Sequence, residues 1–197
     1  GKTELRPKQN PIFPIALLNV GSIVDAAEKD DYNMLAELIL LGMYTGCRIN
    51  ELCSLKIEDI GPDYFQIQTG KTEGSTRRLP IHSDIKQLVE RLVQNSSDGY
   101  LLSVLSCSNS DGNRSKAISK KFGHHKRAIG FGEVHTFQSF RSTFITRMMN
   151  AEADSTLAKK LVGHKIRDIT WGTYAGDADW EKKLELMELV KYPREVA

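Results

Sequence analysis

The sequence predicts an α+β domain that is mainly α-helical and carries a small three-stranded antiparallel sheet. Apolar patterns with a helical period, bounded by capping residues, occupy most of the chain. One stretch, residues 56–81, instead shows three short strand-type runs separated by turns. There is no internal repeat and no low-complexity tract. At 197 residues the chain is long enough for one domain with a substantial core, with or without an appended tail.

The N-terminal residues are predicted to form an extended linker. Three prolines among them remove backbone donors and disfavour a helix. This polar stretch shows no secretory leader pattern, so the chain is expected to begin within an interdomain linker. A short helix is predicted over residues 22–27. The predicted division is a linker at 1–14, a domain at 15–176 and a C-terminal helix or tail at 177–197.

A stronger helix is predicted after the acidic pair at 30–31, which can cap it. Its apolar residues keep a 3.6-residue period from Leu35 to Met43, and Gly46 is suited to end it. Residues 48–55 are predicted to form one or two further helical turns, with Arg48 near their N-terminus.

The three predicted strands follow directly. A Gly-Pro-Asp turn separates the first two, and a glycine-containing loop that carries Lys71 separates the last two. Together they predict the antiparallel sheet. The strands are expected at Lys56–Ile60, Tyr64–Thr69 and Thr76–Ile81.

The second half of the chain is predicted to be helical. Ser83 or Asp84 can cap a helix that runs through Leu92, and residues 94–113 are rich in loop-forming residues. Further helices are expected at 114–129, at 136–150, from a cap at 154 or 155 to Gly163, and from Asp177 onward.

Composition is that of an ordinary globular domain, with 40% hydrophobic and 26% charged residues. The longest apolar run, 35–44, is interrupted by Glu37 and is too short to span a membrane. The three cysteines are odd in number and lack metal-site spacing, which favours buried thiols in a reducing cytoplasm. The carboxylates near turns also lack a ligand pattern, so neither a metal nor a cofactor is predicted.

A basic run stands out although the net charge is only +2. Residues 114–127 include six Lys/Arg and two histidines but no acid, and such a stripe can neutralise backbone phosphates. Taken alone, a solvated helix face is the favoured explanation. Beside the motifs described next, DNA binding is favoured. The predicted DNA-binding residues are Arg77, Arg114, Lys116, Lys120, Lys121, Lys126 and Arg127.

Four separated motifs suit metal-free attack on a phosphodiester. Two arginines, in Thr-Gly-Cys-Arg-Ile-Asn-Glu-Leu (45–52) and Phe-Arg-Ser-Thr-Phe (140–144), can grip phosphate oxygens with planar, permanently charged groups. A Val-Gly-His motif (162–164) supplies an imidazole that titrates near neutrality. Tyr174, ten residues after that histidine, can attack phosphorus.

In their order and spacing these motifs resemble the catalytic domain of the tyrosine recombinases, the phage integrase family, over about residues 31–174. The resemblance implies that Tyr174 attacks a DNA phosphodiester, giving a 3′-phosphotyrosyl intermediate and a free 5′ hydroxyl. Strand exchange and religation follow. It also implies that Arg48 and Arg141 hold the scissile phosphate and that Glu51 braces the site.

The resemblance further assigns Lys71 as the general acid for the leaving 5′ oxygen and His164 as a donor to the phosphate. The chain departs from the family at Gln138, where a histidine or lysine usually stands one turn before the second arginine. Glutamine donates a hydrogen bond but carries no proton, and His135 is at best a partial substitute. The implied catalytic set is Arg48, Lys71, Gln138, Arg141, His164 and Tyr174.

The two arginines and the histidine each have a competing structural explanation. Arg48 could instead form a surface salt bridge with Glu51, three residues later on the same helix. Arg141 could be a solvent-facing residue of its helix. A lone histidine such as His164 is most often structural or exposed.

The lysine and the tyrosine have rivals within the chain. Lys71 could be an ordinary turn residue, and Arg77 and Arg78 are competing cations nearby. Tyr192, close to the C-terminus, is the rival nucleophile to Tyr174, although the spacing from the histidine favours Tyr174.

The resemblance covers the catalytic domain alone. Family members usually carry an N-terminal helical domain that closes a clamp on DNA, and this is expected to be missing here. The helix after Tyr174 resembles a segment that members pack onto a neighbouring subunit. Packing on its own domain is an equally open alternative.

The resulting hypothesis is a site-specific recombinase, an integrase, acting on double-stranded attachment sites. We expect a tetramer on DNA, accessory DNA-bending proteins, and nucleoid association in a bacterial cytoplasm. The competing hypotheses are a type IB topoisomerase, a catalytically weak or inactive DNA-binding homologue, which Gln138 brings into consideration, and a helical domain unrelated to DNA.

Overall fold

The computed structural model describes residues 33–68, 76–105, 112–163 and 180–192. The predicted helix at 22–27 and the predicted helix start at Asp177 lie outside these residues. The described helices and strands are α1 (Asn33–Thr45), α2 (Ile49–Cys53), β1 (Tyr64–Gln68), β2 (Thr76–Pro80), α3 (Ser83–Gln94), α4 (Ser115–Ala128), α5 (Gln138–Asn150), α6 (Ser155–Val162) and α7 (Trp180–Glu188).

Helix α1 is the centre of the core. Leu38, Ile39 and Leu41 are fully buried although they point in different directions around the helix. A helix that is apolar on all sides is stable only when it is surrounded by protein. It packs against α5, whose Phe140 and Phe144 belong to the same buried cluster. This packing brings the motif that follows α1 close to the motif on α5.

The described part of the sheet has two antiparallel strands, with Phe65 opposite Leu79 and Ile67 opposite Arg77. The predicted first strand is wrong, because residues 57–59 form a single 3₁₀ turn. The amide of Asp59 donates to the Lys56 carbonyl and that of Ile60 to the Ile57 carbonyl, so local bonds take the donors that a ladder would need. The mainly helical fold class with a small antiparallel sheet is confirmed.

Helix α3 begins one residue away from the predicted cap. His82 is its N-cap, and Nδ1 of this ring accepts a 2.9 Å hydrogen bond from the amide of Asp84, while Ser83 is already helical. The His82 ring is fully buried, with its centroid 4.7 Å from that of Tyr44. A histidine is an unusual cap, and here the capping bond to Asp84 is accompanied by the ring contact with Tyr44.

Helix α7 packs on the domain that precedes it. Trp180 meets the Tyr64 ring edge-on at 6.1 Å, and its indole nitrogen donates to Asp63 at 3.3 Å. Leu186, Met187 and Val190 are buried in the common core. Of the two packing arrangements considered for this helix, its described part adopts the packing on its own domain. No helix in the described part of the chain is long and apolar enough to cross a membrane.

Candidate active site

Arg48 lies at the start of α2, where it shares one carboxylate with the helix. The Arg48 amide donates to Glu51 Oε2 at 2.8 Å, and its Nη1 donates to Oε1 at 3.0 Å. The carboxylate therefore satisfies an amide at the helix N-terminus and orients the side chain. The Arg48 side chain is 48% exposed and that of Glu51 only 9%. The competing salt bridge to Glu51 exists, and it leaves half of the Arg48 side chain open to solvent.

Arg141 is the second arginine, and it is almost completely buried. Its Nη1 donates to the carbonyl of Gly46 at 2.9 Å and its Nη2 donates to the carbonyl of Val162. Burial, together with the positive charges of Arg48 and Arg77, lowers the pKa of Arg141 to about 10. The group therefore remains charged at neutral pH. The competing explanation of Arg141 as a solvent-facing residue is therefore wrong.

Arg77 lies opposite Arg48 on the same carboxylate. Its Nη1 and Nη2 donate to the two oxygens of Glu51 at 3.2 and 3.1 Å, and its Nε donates to the Leu161 carbonyl at 2.9 Å. Burial opposes ionisation, but the bonds and charges of both arginines hold the pKa of Glu51 below its usual range. The Arg77 side chain is 9% exposed and forms an ion pair within the domain, which does not favour the predicted DNA contact at this residue.

The end of α6 brings a third chain segment to this group. Asp154, one of the two predicted caps, begins the helix by accepting a hydrogen bond from the Leu157 amide at 2.7 Å. Gly163 ends it in the left-handed region, with φ of 67°. The carbonyls of Leu161 and Val162 face Arg77 and Arg141, so the Val-Gly-His motif begins at the arginine cluster. His164 itself lies outside the described residues, as do Lys71 and Tyr174.

Gln138 is the first residue of α5, one turn before Arg141, and its side chain is half-buried. Its position relative to the second arginine is the one the sequence predicts. The ring of His135 packs edge-on against Phe131, with the centroids 5.3 Å apart. His135 thus has an apolar neighbour and lies outside α5, which does not favour it as a replacement.

The rival nucleophile Tyr192 is sequestered. Its hydroxyl donates to the Met43 carbonyl at 2.8 Å, its ring centroid is 5.0 Å from that of Tyr44, and Arg147 lies 4.2 Å over it. Burial raises the pKa of Tyr192 well above the usual value for a phenol. Such a hydroxyl is a weak nucleophile that is already bonded within the domain, which does not favour Tyr192 over Tyr174.

The basic stripe divides into an exposed and a buried part. Lys116, Lys120, Lys121 and Arg127 are exposed along α4, as DNA contacts would require.

Arg114, by contrast, stacks over the Tyr100 ring at 3.7 Å, pairs with Asp98 at 2.8 Å and donates to the Cys53 carbonyl at 3.1 Å. Lys126 is 5% exposed and donates to the Gly132 carbonyl at 2.7 Å. The charged groups of these two residues are used within the domain, which does not favour the predicted DNA contacts there.

The described residues hold no cluster of His, Cys, Asp and Glu that could bind a metal ion. Cys47 and Cys53 are buried free thiols, and burial raises their pKa values to about 11 and about 12. Both are therefore neutral apolar groups at neutral pH. Cys107 lies outside the described residues.

Sequence reasoning did not identify Arg77 as part of the arginine cluster. The signal was present in β2, because residues two apart in a strand share a face, and Arg77 is two residues before the fully buried Leu79. Arg78 occupies the exposed face instead. The alternation therefore distinguishes the two neighbouring arginines, but only once the strand and its buried face are known.

The fold is that of the tyrosine recombinase catalytic domain. It is similar to lambda integrase residues 75–356 in a dimer bound to a COC′ core site, with a TM-score of 0.66, 20% identity, and coverage of 86% of this chain and 63% of that one. It is also similar to the integrase of mycobacterium phage Brujita, with a TM-score of 0.68, 17% identity, and coverage of 98% and 62%.

The sequence carries the assignment further. The model of the phage integrase family matches residues 17–180, and the chain therefore belongs to that family. It is 28% identical over 172 residues to tyrosine recombinase XerA of Pyrococcus horikoshii, covering 82% of this chain and 58% of that relative. It is 24% identical over 206 residues to XerC of Staphylococcus carnosus, covering 96% and 66%. The chain thus spans less than two thirds of these relatives' length.

Proposed function

We propose that this chain is the catalytic domain of a site-specific DNA recombinase of the integrase type. The observation that carries the proposal is the convergence of Arg48 and Arg141, far apart in sequence, around the Glu51 carboxylate and the end of α6. Two fixed guanidinium groups at one place suit a transferring phosphoryl group whose transition state gains negative charge. The family membership supports the same assignment.

In the proposed reaction, the phenol of Tyr174 gives its proton to solvent water as its oxygen attacks phosphorus. The bond to the 5′ oxygen breaks, and Lys71 protonates that oxygen as it leaves. Arg48, Arg141 and His164 stabilise the phosphoryl oxygens, while Gln138 donates a hydrogen bond. The phosphotyrosyl linkage retains the bond energy, so a second 5′ hydroxyl can reverse the attack and complete strand exchange without ATP or metal.

We propose double-stranded DNA as the substrate, contacted by the exposed residues Lys116, Lys120, Lys121 and Arg127. One similar structure is a lambda integrase tetramer bound to a Holliday junction, which supports the proposal that this chain also assembles as a tetramer on DNA. Accessory DNA-bending proteins and a nucleoid location in a bacterial cytoplasm complete the proposal.

Covalent trapping tests this function. The substrate is a pool of duplexes with bridging 5′-phosphorothiolates, whose leaving group needs no general acid. We expect a denaturation-resistant protein–DNA adduct with the wild-type chain and none with Tyr174→Phe. An adduct that persists in Tyr174→Phe would place the nucleophile elsewhere.

Gln138 favours a second candidate, a DNA-binding module without cleavage activity, because glutamine cannot shuttle a proton. This candidate predicts salt-dependent DNA binding with no adduct, even after Gln138→His. Relaxation of supercoiled DNA without strand exchange would instead indicate a type IB topoisomerase.

A further inference from the structure

We propose that Arg77 is a positioning residue, which holds the Arg48–Glu51 pair in register with the end of α6. This assigns an internal role to a cation beside the predicted hairpin. The kinetic part of the inference rests on the proposed recombinase function.

The hydrogen bonds of Arg77 point inward. Its guanidinium donates four bonds to atoms of three residues, and the side chain is 9% exposed. Two go to the Glu51 carboxylate, one to the Leu161 carbonyl, and one, at 3.5 Å, to Cys47 Sγ. These four bonds engage Nε, Nη1 and Nη2 of Arg77 within the domain, so little of this guanidinium is left for a DNA phosphate.

The Glu51 carboxylate is held by two cations at once. Each of its oxygens accepts one bond from Arg48 and one from Arg77, so the two residues grip the carboxylate from two sides. Only a planar fork can contact both oxygens while its Nε donates to α6, and lysine offers no such arrangement. The position of Arg48 therefore depends on a side chain from β2.

Arg77 also affects the electrostatics of the cluster. Arg48, Arg77 and Arg141 are three positive charges near the single carboxylate of Glu51, and the charges of the first two act on Arg141. If Arg77 were merely an extra cation, its removal would relieve repulsion. Because it also fixes Glu51, we expect removal to loosen the carboxylate that neutralises the other two arginines.

Gly163 packs directly against Arg77. A Cβ at this glycine would lie 2.7 Å from Arg77 Nη1 and 3.1 Å from its Cζ. The guanidinium thus rests on the turn that leads into the Val-Gly-His motif. Arg77 therefore contacts both Glu51, the partner of Arg48, and Gly163, the residue before His164.

The kinetic test compares Arg77→Lys and Arg77→Gln with Arg78→Gln. The control removes the same charge from the adjacent residue, whose exposed side chain lies over the Tyr64 ring at 4.7 Å. We expect both Arg77 variants to slow covalent trapping at saturating DNA by about a hundredfold, the scale of a small misplacement. Their DNA affinity and its salt dependence should match those of the wild-type chain.

The outcome that overturns the proposal is the reverse pattern. Removing a residue that contacts phosphate lowers DNA affinity and reduces the slope of log affinity against log salt concentration by about one. Trapping at saturating DNA persists in that case. Glu51→Gln provides a second approach to the same contact. It should slow trapping as Arg77→Gln does, and the double variant should be no slower than the worse single variant. Additive losses contradict a shared role.

A readout independent of cleavage separates the positioning role from the recombinase function. Side-chain Nε–Hε signals of Arg48 and Arg141, recorded by NMR on the free protein, should shift in Arg77→Lys and remain unchanged in Arg78→Gln. If the wild-type chain forms no adduct, the recombinase function fails, but these signals still decide the role of Arg77. Unchanged signals in a folded Arg77→Lys variant overturn it.

Discussion

Arg141 donates a 2.9 Å hydrogen bond from the middle of the core to the carbonyl of Gly46, the residue that ends α1. Gly46 adopts a φ of 59°, and a Cβ there would lie 2.6 Å from the Phe144 ring one turn after Arg141 on α5. Only glycine adopts this left-handed φ without strain and also leaves room for the ring. This contact joins the two arginine motifs through backbone atoms, so the site depends on the packing of α1 against α5.

Arg141→Lys should impair both stability and cleavage. One ammonium cannot replace the fork that reaches the carbonyls of Gly46 and Val162, and each unsatisfied buried carbonyl costs about 1–3 kcal/mol. Trapping should fall about 10²–10³-fold, the usual loss for one preorganised donor to a transition state. Urea unfolding and trapping rates measure the two effects. Arg91→Lys, which alters a surface pair with Glu37, should change neither appreciably.

Gly163→Ala should destabilise the domain more than Gly130→Ala. Both glycines have positive φ, 67° and 88°, and both lie at the end of a helix, so both variants carry the cost of the left-handed conformation. Only at Gly163 does the new methyl group meet Arg77, whereas no atom lies within 4 Å at Gly130. Thermal unfolding of the two variants isolates the contact. Equal losses would mean that the turn relaxes without disturbing Arg77.

The helical framework is largely predictable from sequence, and the reason is local. The period of Leu35 to Met43 sets α1, and Asp154 and Gly163 mark the two ends of α6 through capping chemistry that involves only neighbouring residues. The strand predicted at 56–60 is reduced to isolated antiparallel bridges at Lys56 and Ile60, because a 3₁₀ turn at residues 57–59 interrupts it.

The site is less predictable, because its contacts are not local. That Arg141 is buried rather than exposed depends on the Gly46 and Val162 carbonyls, which the fold brings from two other helices. Arg114 and Arg127 look alike within the basic run, yet Asp98 and Tyr100 bury only the first. The family resemblance identifies which arginines to examine, and the fold decides where each one points.

His82 should make stability depend on pH. Burial lowers its pKa, together with the charge of Lys191, against the opposing effect of the Glu188 and Asp84 carboxylates. The unfolded chain therefore takes up this proton first, so the free energy of unfolding should fall as the pH drops through about 6.5. The slope for one proton is at most about 1.4 kcal/mol per pH unit. Urea unfolding at pH 7.5, 6.5 and 5.5 measures it.

The matched variant for this effect is His82→Asn, which keeps a side-chain acceptor at the cap of α3. This variant should reduce the change of the free energy of unfolding with pH between pH 7.5 and 5.5. Glu51 and Glu188 have lowered pKa values, so the stability they contribute is present above about 4.5 and is lost only in more acidic solution. An unchanged slope in His82→Asn would rule out His82 as the source.

Tyr192→Phe should leave covalent trapping intact. The hydroxyl is committed to the Met43 carbonyl, and burial keeps the phenol protonated. Removing this bond should lower the free energy of unfolding, measured by urea unfolding, by about 1 kcal/mol. Tyr174→Phe should show the opposite pattern, with adduct lost and stability preserved. Loss of adduct in a folded Tyr192→Phe variant would reverse the assignment of the nucleophile.

Gln138→His should maintain or increase cleavage. The residue lies at the start of α5, one turn before Arg141 and half-buried, where an imidazole can donate a hydrogen bond and also carry a proton. The variant should add a second titrating imidazole to that of His164, so its trapping rate should change more steeply with pH near neutrality than that of the wild-type chain. Gln138→Leu, similar in size but without a donor, should be slower than wild type. A clear fall in rate for Gln138→His at matched stability would show that glutamine is the residue this site requires.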